Sequence, residues 1–435
     1  MSSQNILLCT VGTGNVDQLR ETLLTPLLKS IRAGQWKRVI LLPSDTTLAN
    51  AELLRTEAAD SPIEVAPLPA PDLEDDADAC FAHFNSVLDG LRDSGTRPGE
   101  ILVDFTRGTK AMSAALVLAA VRHELPQLRY LSGGRRDARG MVVPGTETIR
   151  DVHTAVVSAA RRVDDAYRFL RRGNFAAATE TLAPSADANL DSWPAALKAE
   201  GEAIATLAEF YSAWDRLDYK SAAAMADFTD RPCRWRQFLP SPDVRDWLRQ
   251  LAADLPKEPQ QQAGRLRLLA CDLLANGQRR LRDHQFEDCV IRAYRVLELV
   301  GQIRLADRGM HSDDIPADDP AVKSLQEALI KGGSNPLSKD HQGKLLASRE
   351  QVARLLKKLG DPLASRLLQL GNAGAVAAKK RNYSALIHGF EAAGGSDPQP
   401  LRELYANLER LLIDDDHNAP ARLALARAID LSGRV

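Results

Sequence analysis

Near the end of the chain, Arg381 and His388 stand seven positions apart in the run Arg381-Asn382-Tyr383-Ser384-Ala385-Leu386-Ile387-His388-Gly389. On an α-helix that spacing is two turns, about 10.5 Å along the axis, with both side chains on nearly the same face. A histidine exchanges protons near neutral pH, and a permanent guanidinium holds a phosphate. The chemistry within reach of such a pair is RNA cleavage without a metal.

Spacing alone does not select this pair. Arginine followed by histidine with four to six residues between occurs four times: Arg279–His284, Arg304–His311, Arg381–His388 and Arg410–His417. Arg304–His311 runs through Gly309 into an Asp-rich loop. Arg410–His417 encloses Asp414, Asp415 and Asp416, which would repel an RNA phosphate. Arg279–His284 has Asp283 beside the histidine and is the strongest rival. Arg381–His388 alone lies in an expected helix free of acidic residues, preceded by Lys379 and Lys380.

A second group of residues has phosphate-binding character. One loop reads Thr10-Val11-Gly12-Thr13-Gly14-Asn15, and another reads Asp104-Phe105-Thr106-Arg107-Gly108-Thr109-Lys110-Ala111-Met112. Glycines let backbone approach a ligand, hydroxyl and amide groups donate hydrogen bonds, and Arg107 and Lys110 offset phosphate charge. Either loop alone reads equally well as an ordinary strand–helix turn with an N-cap threonine. The first lacks the third glycine of a dinucleotide fingerprint, and the second lacks the Gly-x-x-x-x-Gly-Lys spacing of a P-loop.

The elements that must position these residues follow from hydrophobic patterning. Short apolar strands at Asn5–Thr10, Arg38–Leu42, Ile63–Ala66, Glu100–Asp104 and Leu128–Ser132 alternate with helices near Val16–Arg32, Thr47–Ala59, Asp76–Asp93 and Thr109–His123. That alternation predicts a Rossmann-like α/β fold, an open and mostly parallel sheet with helices on both faces. Met141–Val143 is expected to add a short strand. Ligands of such sheets bind beyond the carboxyl ends of the strands, where both loops fall. From about Thr154 the pattern becomes all-α. Helical hairpins such as Ala159–Leu170 with Phe175–Leu182 come first. After a break at Leu255–Gln262 a helical bundle follows, with helices expected at Phe286–Leu305, Ala321–Lys331, Gln342–Lys358, Pro362–Leu370, Ala373–Phe390 and Pro400–Ile413.

The 435 residues are 44% hydrophobic, 26% charged and 5% aromatic, which excludes disordered and fibrous classes. A net charge of -2 means that nucleic-acid contact must come from local patches. Five scattered cysteines without a Cys-x-x-Cys point to a reducing compartment rather than to disulfides or zinc. No apolar run has the length of a membrane span and the N-terminus has no signal-peptide pattern, so a cytoplasmic protein without membrane contact is expected. No His/Cys/Asp cluster has metal-ligand spacing, and neither metal nor cofactor is expected.

Taken together, the two loops resemble the ligand loops of CARF domains, the Rossmann-like sensors of CRISPR-associated proteins. In that family the second loop commonly reads as an acidic residue followed by Thr-Gly-Gly-Thr-Lys-x-Met; here Arg107 replaces the first glycine. The phrase Arg-Asn-x-Ser-x-x-x-His-Gly resembles the HEPN ribonuclease motif, and Phe286–Leu299 resembles the helix packed beside the catalytic one. The chain is thus similar to CARF–HEPN ribonucleases of type III CRISPR systems.

That resemblance implies three regions: a CARF-like domain over 1–152, a tetratricopeptide-like helical linker over 153–262 and a HEPN-like domain over 263–435. It implies catalytic Arg381 and His388 with Asn382 orienting them, and a site completed by a second subunit of a homodimer. The implied ligand residues are Thr10, Gly12, Thr13, Gly14, Asn15, Thr106, Arg107, Gly108, Thr109 and Lys110. The implied activator is cyclic oligoadenylate, with cyclic tetra-adenylate ahead of the hexa-adenylate, and the substrate is single-stranded RNA. Arg295, Glu298 and Gln302 either support the catalytic pair from behind or form ordinary surface ion pairs.

Two other readings remain. One is a non-enzymatic nucleotide-sensing regulator whose helical half binds a protein; without a compact basic recognition helix, no DNA partner is expected. The other adds slow cleavage of the cyclic ligand by the N-terminal domain, with Thr13 and Thr106 positioning the ribose.

Overall fold

The computed structural model describes residues 5–135, 138, 143, 145–183, 193–227, 236–371 and 398–432. The chain divides into two compact units, one running up to Tyr167 with Glu180–Glu202 added, the other comprising Arg168–Thr179 and everything from Ala203.

The first unit is built on a six-stranded sheet in the order β3-β2-β1-β4-β5-β6. Its strands are β1 (Ile6–Val11), β2 (Arg38–Pro43), β3 (Ile63–Val65), β4 (Ile101–Asp104), β5 (Gln127–Gly133) and β6 (Glu147–His153). All neighbours are parallel except β5 and β6. Helices α1 (Thr25–Arg32), α2 (Leu48–Glu57), α3 (Ala77–Asp93) and α4 (Lys110–Arg122) connect the parallel strands. Alternate strand residues feed two cores, as a sheet covered on both faces requires. Leu7, Cys9, Leu41 and Leu102 pack with Leu27 and Ile31 of α1. Leu8, Ile40, Ile101 and Val103 pack with Phe84 and Leu88 of α3 and Leu116 of α4.

The expected α/β architecture is present, with one difference in the strand inventory. Met141 and Val142 lie outside the described residues, and Val143 is not in a strand. The sixth strand is Glu147–His153, an edge strand exposed along most of its length after Glu147. With both faces largely in water, its sequence ETIRDVH carries no buried alternation to read.

Helices α5 (Ala155–Arg171), α6 (Phe175–Leu182) and α7 (Ala195–Asp215) are shared between the two units. The second unit continues through α8 (Tyr219–Met225), α9 (Pro242–Ala252), α10 (Pro259–Arg282), α11 (Phe286–Ala306), α12 (Pro320–Lys331) and α13 (Arg349–Lys358). Further helices run over 364–371, Gln399–Asp415 and Ala419–Ala426. The expected helix Gln342–Lys358 is shorter than its pattern. A two-stranded hairpin, Ser338–Lys339 with Leu345–Leu346, occupies the preceding stretch. Asp340 takes the Gln342 and Lys344 amides at 2.8 Å each, and Gly343 sits at φ 84°, so a tight turn displaces the first helical turns. The expected helix Ala373–Phe390 lies outside the described residues. Among the described residues no helix is long and apolar enough to cross a membrane.

Candidate functional site

The two glycine-containing loops leave adjacent parallel strands, β1 and β4, whose register pairs Cys9 with Asp104. They meet backbone to backbone. A Cβ on Gly12 would lie 2.8 Å from the Gly108 amide nitrogen, and one on Gly108 would lie 3.1 Å from the Thr10 Cβ. Gly108 also holds φ 109°, a conformation that favours glycine. The buried Thr10 hydroxyl closes the contact by donating to the Arg107 carbonyl.

Each loop is anchored from behind. Thr47 Oγ1 donates to the Val11 carbonyl at 3.0 Å, and Asn50 Nδ2 donates to the Gly12 carbonyl at 3.0 Å. Asn15 Oδ1 accepts the Asp17 amide at 3.2 Å, capping the short turn Val16–Gln18 that leads toward α1. In the second loop, Asp104 is fully buried and accepts from Ser30 of α1 and from the Thr106 hydroxyl. It also takes the Thr106 amide at 2.9 Å. Thr106 Oγ1 accepts the Leu131 amide of β5 at 2.9 Å. Thr109 caps α4, taking the Met112 amide at 3.2 Å while donating to the Glu74 carbonyl.

The threonines therefore divide by orientation. The hydroxyls of Thr10, Thr106 and Thr109 donate to partners within the fold. Thr13, Gly14, Asn15 and Lys110 are exposed, and Gly12, Arg107 and Gly108 are half-buried. What the paired loops leave exposed or half-exposed is thus glycine backbone, Thr13, Asn15 and two cations, Arg107 and Lys110, at the amino end of α4, where a helix presents free amides and positive potential.

Burial pushes the Asp104 carboxyl above the ordinary carboxylate range, against the pull of Ser30, Thr106 and Arg129. Burial lowers the Arg107 guanidinium, and Glu147 and Asp104 pull it back toward its charged form. Its Nε is buried and, among the described residues, has no hydrogen-bond partner. Sequence reading did not find Ser30, Thr47, Asn50 or Glu147. Only Thr47 carried a local signal, as the third residue of a capping box opened by Ser44.

In the second unit, Arg381, Asn382 and His388 lie outside the described residues. The other three arginine–histidine pairs are described; Arg279 and Arg304 are held by carboxylates, whereas Arg410 is exposed. Arg279 is buried, with Nε 3.0 Å from Asp215, and burial lowers its guanidinium to about 10. Arg304 lies 2.9 Å from Asp361 and 3.3 Å from Asp415, two buried carboxylates. Arg410 donates to Asn407 at 3.3 Å, while the His417 side chain is 91% exposed. Arg295 and Glu298 form an ion pair of 3.0 Å on α11. Gln302 does not join them in the hydrogen bonds it makes, donating to Ser312 at 3.3 Å.

Residues 260–429, which take in α10 and α11 and the run from Arg381 to His388, match the family described as the Csm6 HEPN domain. The C-terminal region is thus similar to Csm6 HEPN domains. Along its whole length the chain is similar to Enterococcus italicus Csm6 bound to cyclic hexa-2'-fluoro-hexa-dAMP, with TM-score 0.53 and 12% identity over 98% of this chain and 99% of that one. At that identity the likeness establishes the fold. Can2 from Sulfobacillus thermosulfidooxidans in complex with cyclic tetra-adenylate also matches, at 13% identity over 62% of this chain and 67% of that one. Its TM-score of 0.23 carries no argument. No curated protein matches the chain in sequence. The resemblance to CARF–HEPN proteins is borne out, by the HEPN family match and by the fold that the chain shares with Csm6.

Proposed function

We propose that the chain is a CRISPR-associated endoribonuclease switched on by cyclic oligoadenylate. The observation that carries this reading is the HEPN family match over residues 260–429, which contains Arg381 and His388. Three regions divide the work: ligand sensing over 1–152, helical coupling over 153–262 and RNA cleavage over 263–435. The paired loops at the carboxyl ends of β1 and β4 take the ligand's phosphates through backbone amides, Arg107 and Lys110. The activator is cyclic tetra-adenylate, with the hexa-adenylate as the second choice.

Cleavage proceeds by attack of a ribose 2′-OH on the adjacent phosphorus, with loss of the 5′-oxygen of the next nucleotide. The products are a 2′,3′-cyclic phosphate and a 5′-hydroxyl. His388 supplies proton transfer, Arg381 stabilises charge on the phosphorane-like transition state and Asn382 orients the pair. The step needs no metal. Two subunits complete the site, so the active species is a homodimer in the cytoplasm. The engagement of Arg279 and Arg304 by carboxylates supports this choice of pair.

The test is a fluorogenic single-stranded RNA incubated with a panel of cyclic oligoadenylates. Ligand-dependent cleavage is expected. Tight ligand binding with no cleavage under any ring would favour the regulator reading instead. Loss of the ligand on incubation with His388→Ala would reveal ring cleavage by the N-terminal region.

A further inference from the structure

The charged side chains that the paired loops leave exposed or half-exposed, Arg107 and Lys110, are both donors. Beside them stands a carboxylate that hydrogen bonds tie to the same end of the sheet. Asn50 and Thr47, from the segment after β2, donate to the carbonyls of Gly12 and Val11 at 3.0 Å each. Next to them, Thr46 Oγ1 lies 2.9 Å from Ser44 Oγ and donates to Glu74 Oε1 at 3.2 Å. The Glu74 carbonyl in turn receives the hydroxyl of Thr109, the N-cap of α4. Contact between Gly108 and Gly12 closes the circuit. Glu74 thus bridges the segments that follow β2 and β4, the two neighbours of β1 in the sheet.

Thr46 is exposed and Glu74 half-buried, so their hydrogen bond borders solvent. The other carboxylate oxygen, Oε2, is buried and has no hydrogen-bond partner among the described residues. A buried acceptor left unpaired is costly, and the terminal torsion of a glutamate is soft. Turning the carboxyl therefore brings an unspent oxygen toward the surface. A carboxylate only accepts hydrogen bonds, which rules out a phosphate as its partner. In a ligand made of phosphates, ribose and adenine, the groups able to donate to it are the ribose 2′-OH and the adenine N6 amine.

We infer that Glu74 selects the nucleosides of the ligand, accepting a hydrogen bond from the N6 amine or the 2′-OH while the glycine amides, Arg107 and Lys110 take the phosphates. The inference rests on the reading of the paired loops as a cyclic oligoadenylate site, and it gives that site a specificity residue. A site that accepts from a ligand donor rejects an analogue without it, because the acceptor is then left unpaired. A carboxylate that served only the positive end of α4 would affect stability and leave ligand choice unmoved.

The experiment is calorimetric titration of the full chain with three sets of rings. These are cyclic tetra- and hexa-adenylate, the same rings with inosine in place of adenosine, and their 2′-deoxy forms. Wild type, Glu74→Met and Glu74→Gln are compared, with the melting temperature of each as the control for folding. Wild type is expected to bind an adenylate ring roughly ten- to a hundredfold more tightly than one of its analogues, the scale of a hydrogen bond to a charged group. Preference over inosine places the donor on the base, and preference over the 2′-deoxy ring places it on the sugar. Glu74→Met is expected to bind parent and analogue alike. Glu74→Gln, closest in shape to the native side chain, is expected to narrow the preference by about tenfold and decides the matter if the first variant does not fold. Analogues bound by wild type as tightly as the parent would overturn the inference, as would wild-type selectivity in either folded variant. A wild type that binds no ring refutes the loop reading and the inference with it, whereas selectivity unmoved by substitution refutes the inference alone.

Discussion

Gly12 and Gly108 touch through their backbones: a Cβ added to Gly12 would stand 2.8 Å from the Gly108 nitrogen. Two loops nearly one hundred residues apart in sequence thereby form one surface, and neither glycine has a side chain that could obstruct a phosphate. Since the obstructing atom is backbone, Gly12→Ala cannot be absorbed by a rotamer change. The loops must separate, at a cost of about 1–3 kcal/mol, the usual range for overpacking. The expected outcome is a lowered melting temperature together with at least a tenfold loss of cyclic oligoadenylate affinity in titration calorimetry. Unchanged affinity would show that the ligand does not span the two loops.

Asp104 holds the second loop through Thr106 and ties it to Ser30 of α1. Asp104→Asn turns one of the two accepting oxygens into an NH2 donor, leaving either Ser30 or Thr106 without its acceptor, at about 1–3 kcal/mol. The pH dependence has a definite sign. Burial raises the folded-state value above the unfolded one, so folding takes up protons as pH falls through the interval between them. Stability from this group is fully present below the unfolded value and is lost as pH rises through the folded value. The melting-temperature advantage of wild type over Asp104→Asn should therefore grow as pH drops from neutral toward the ordinary carboxylate value. A difference that shrinks on acidification would contradict this account.

The four arginine–histidine pairs separate by what substitution does. Arg279→Ala breaks a buried ion pair, and because Arg280 still neutralises Asp215, the loss should fall near the lower end of the usual range, about 3 kcal/mol. Its partner by spacing, His284, and the exposed His417 have no expected part in catalysis. His284→Ala and His417→Ala should each retain wild-type RNA cleavage, whereas Arg381→Ala and His388→Ala should each lose at least a hundredfold, the scale of a missing acid–base or charge-stabilising group. A His284→Ala enzyme as inactive as His388→Ala would move the site to the turn between α10 and α11.

Arg295 and Glu298 form a partly exposed i,i+3 pair with side chains 42% and 29% exposed. Such pairs contribute about 0–1 kcal/mol. Arg295→Ala should leave the melting temperature essentially unchanged, so a fall in cleavage rate in that variant would report support of the catalytic pair rather than loss of fold.

What the sequence revealed depended on how local the signal was. The strand–helix alternation was legible because buried parallel strands are continuous apolar runs, as in ILLCTV and RVILLP. The edge strand beginning at Glu147 was not, because solvent on both faces removes the pattern. The start of α13 was misplaced for a different reason: the turn around Asp340 and Gly343 depends on one side chain collecting two amides. Loop positions were read correctly at the carboxyl ends of β1 and β4, but the inward engagement of Thr10, Thr106 and Thr109 was not visible. Their partners, Arg107, Asp104 and Glu74, are set by tertiary packing. Two of the rival arginines, Arg279 and Arg304, were likewise resolved only by carboxylates far away in sequence, such as Asp361 and Asp415 for Arg304.

The most direct measurement is the rate of RNA cleavage in EDTA by wild type and by His388→Ala, each with and without cyclic tetra-adenylate or cyclic hexa-adenylate. A wild-type enzyme that cleaves in EDTA only when one of the rings is present, and a His388→Ala variant that binds the ring but does not cleave, are the predicted results. Cleavage that requires magnesium, proceeds equally without either ring or survives His388→Ala would contradict the account.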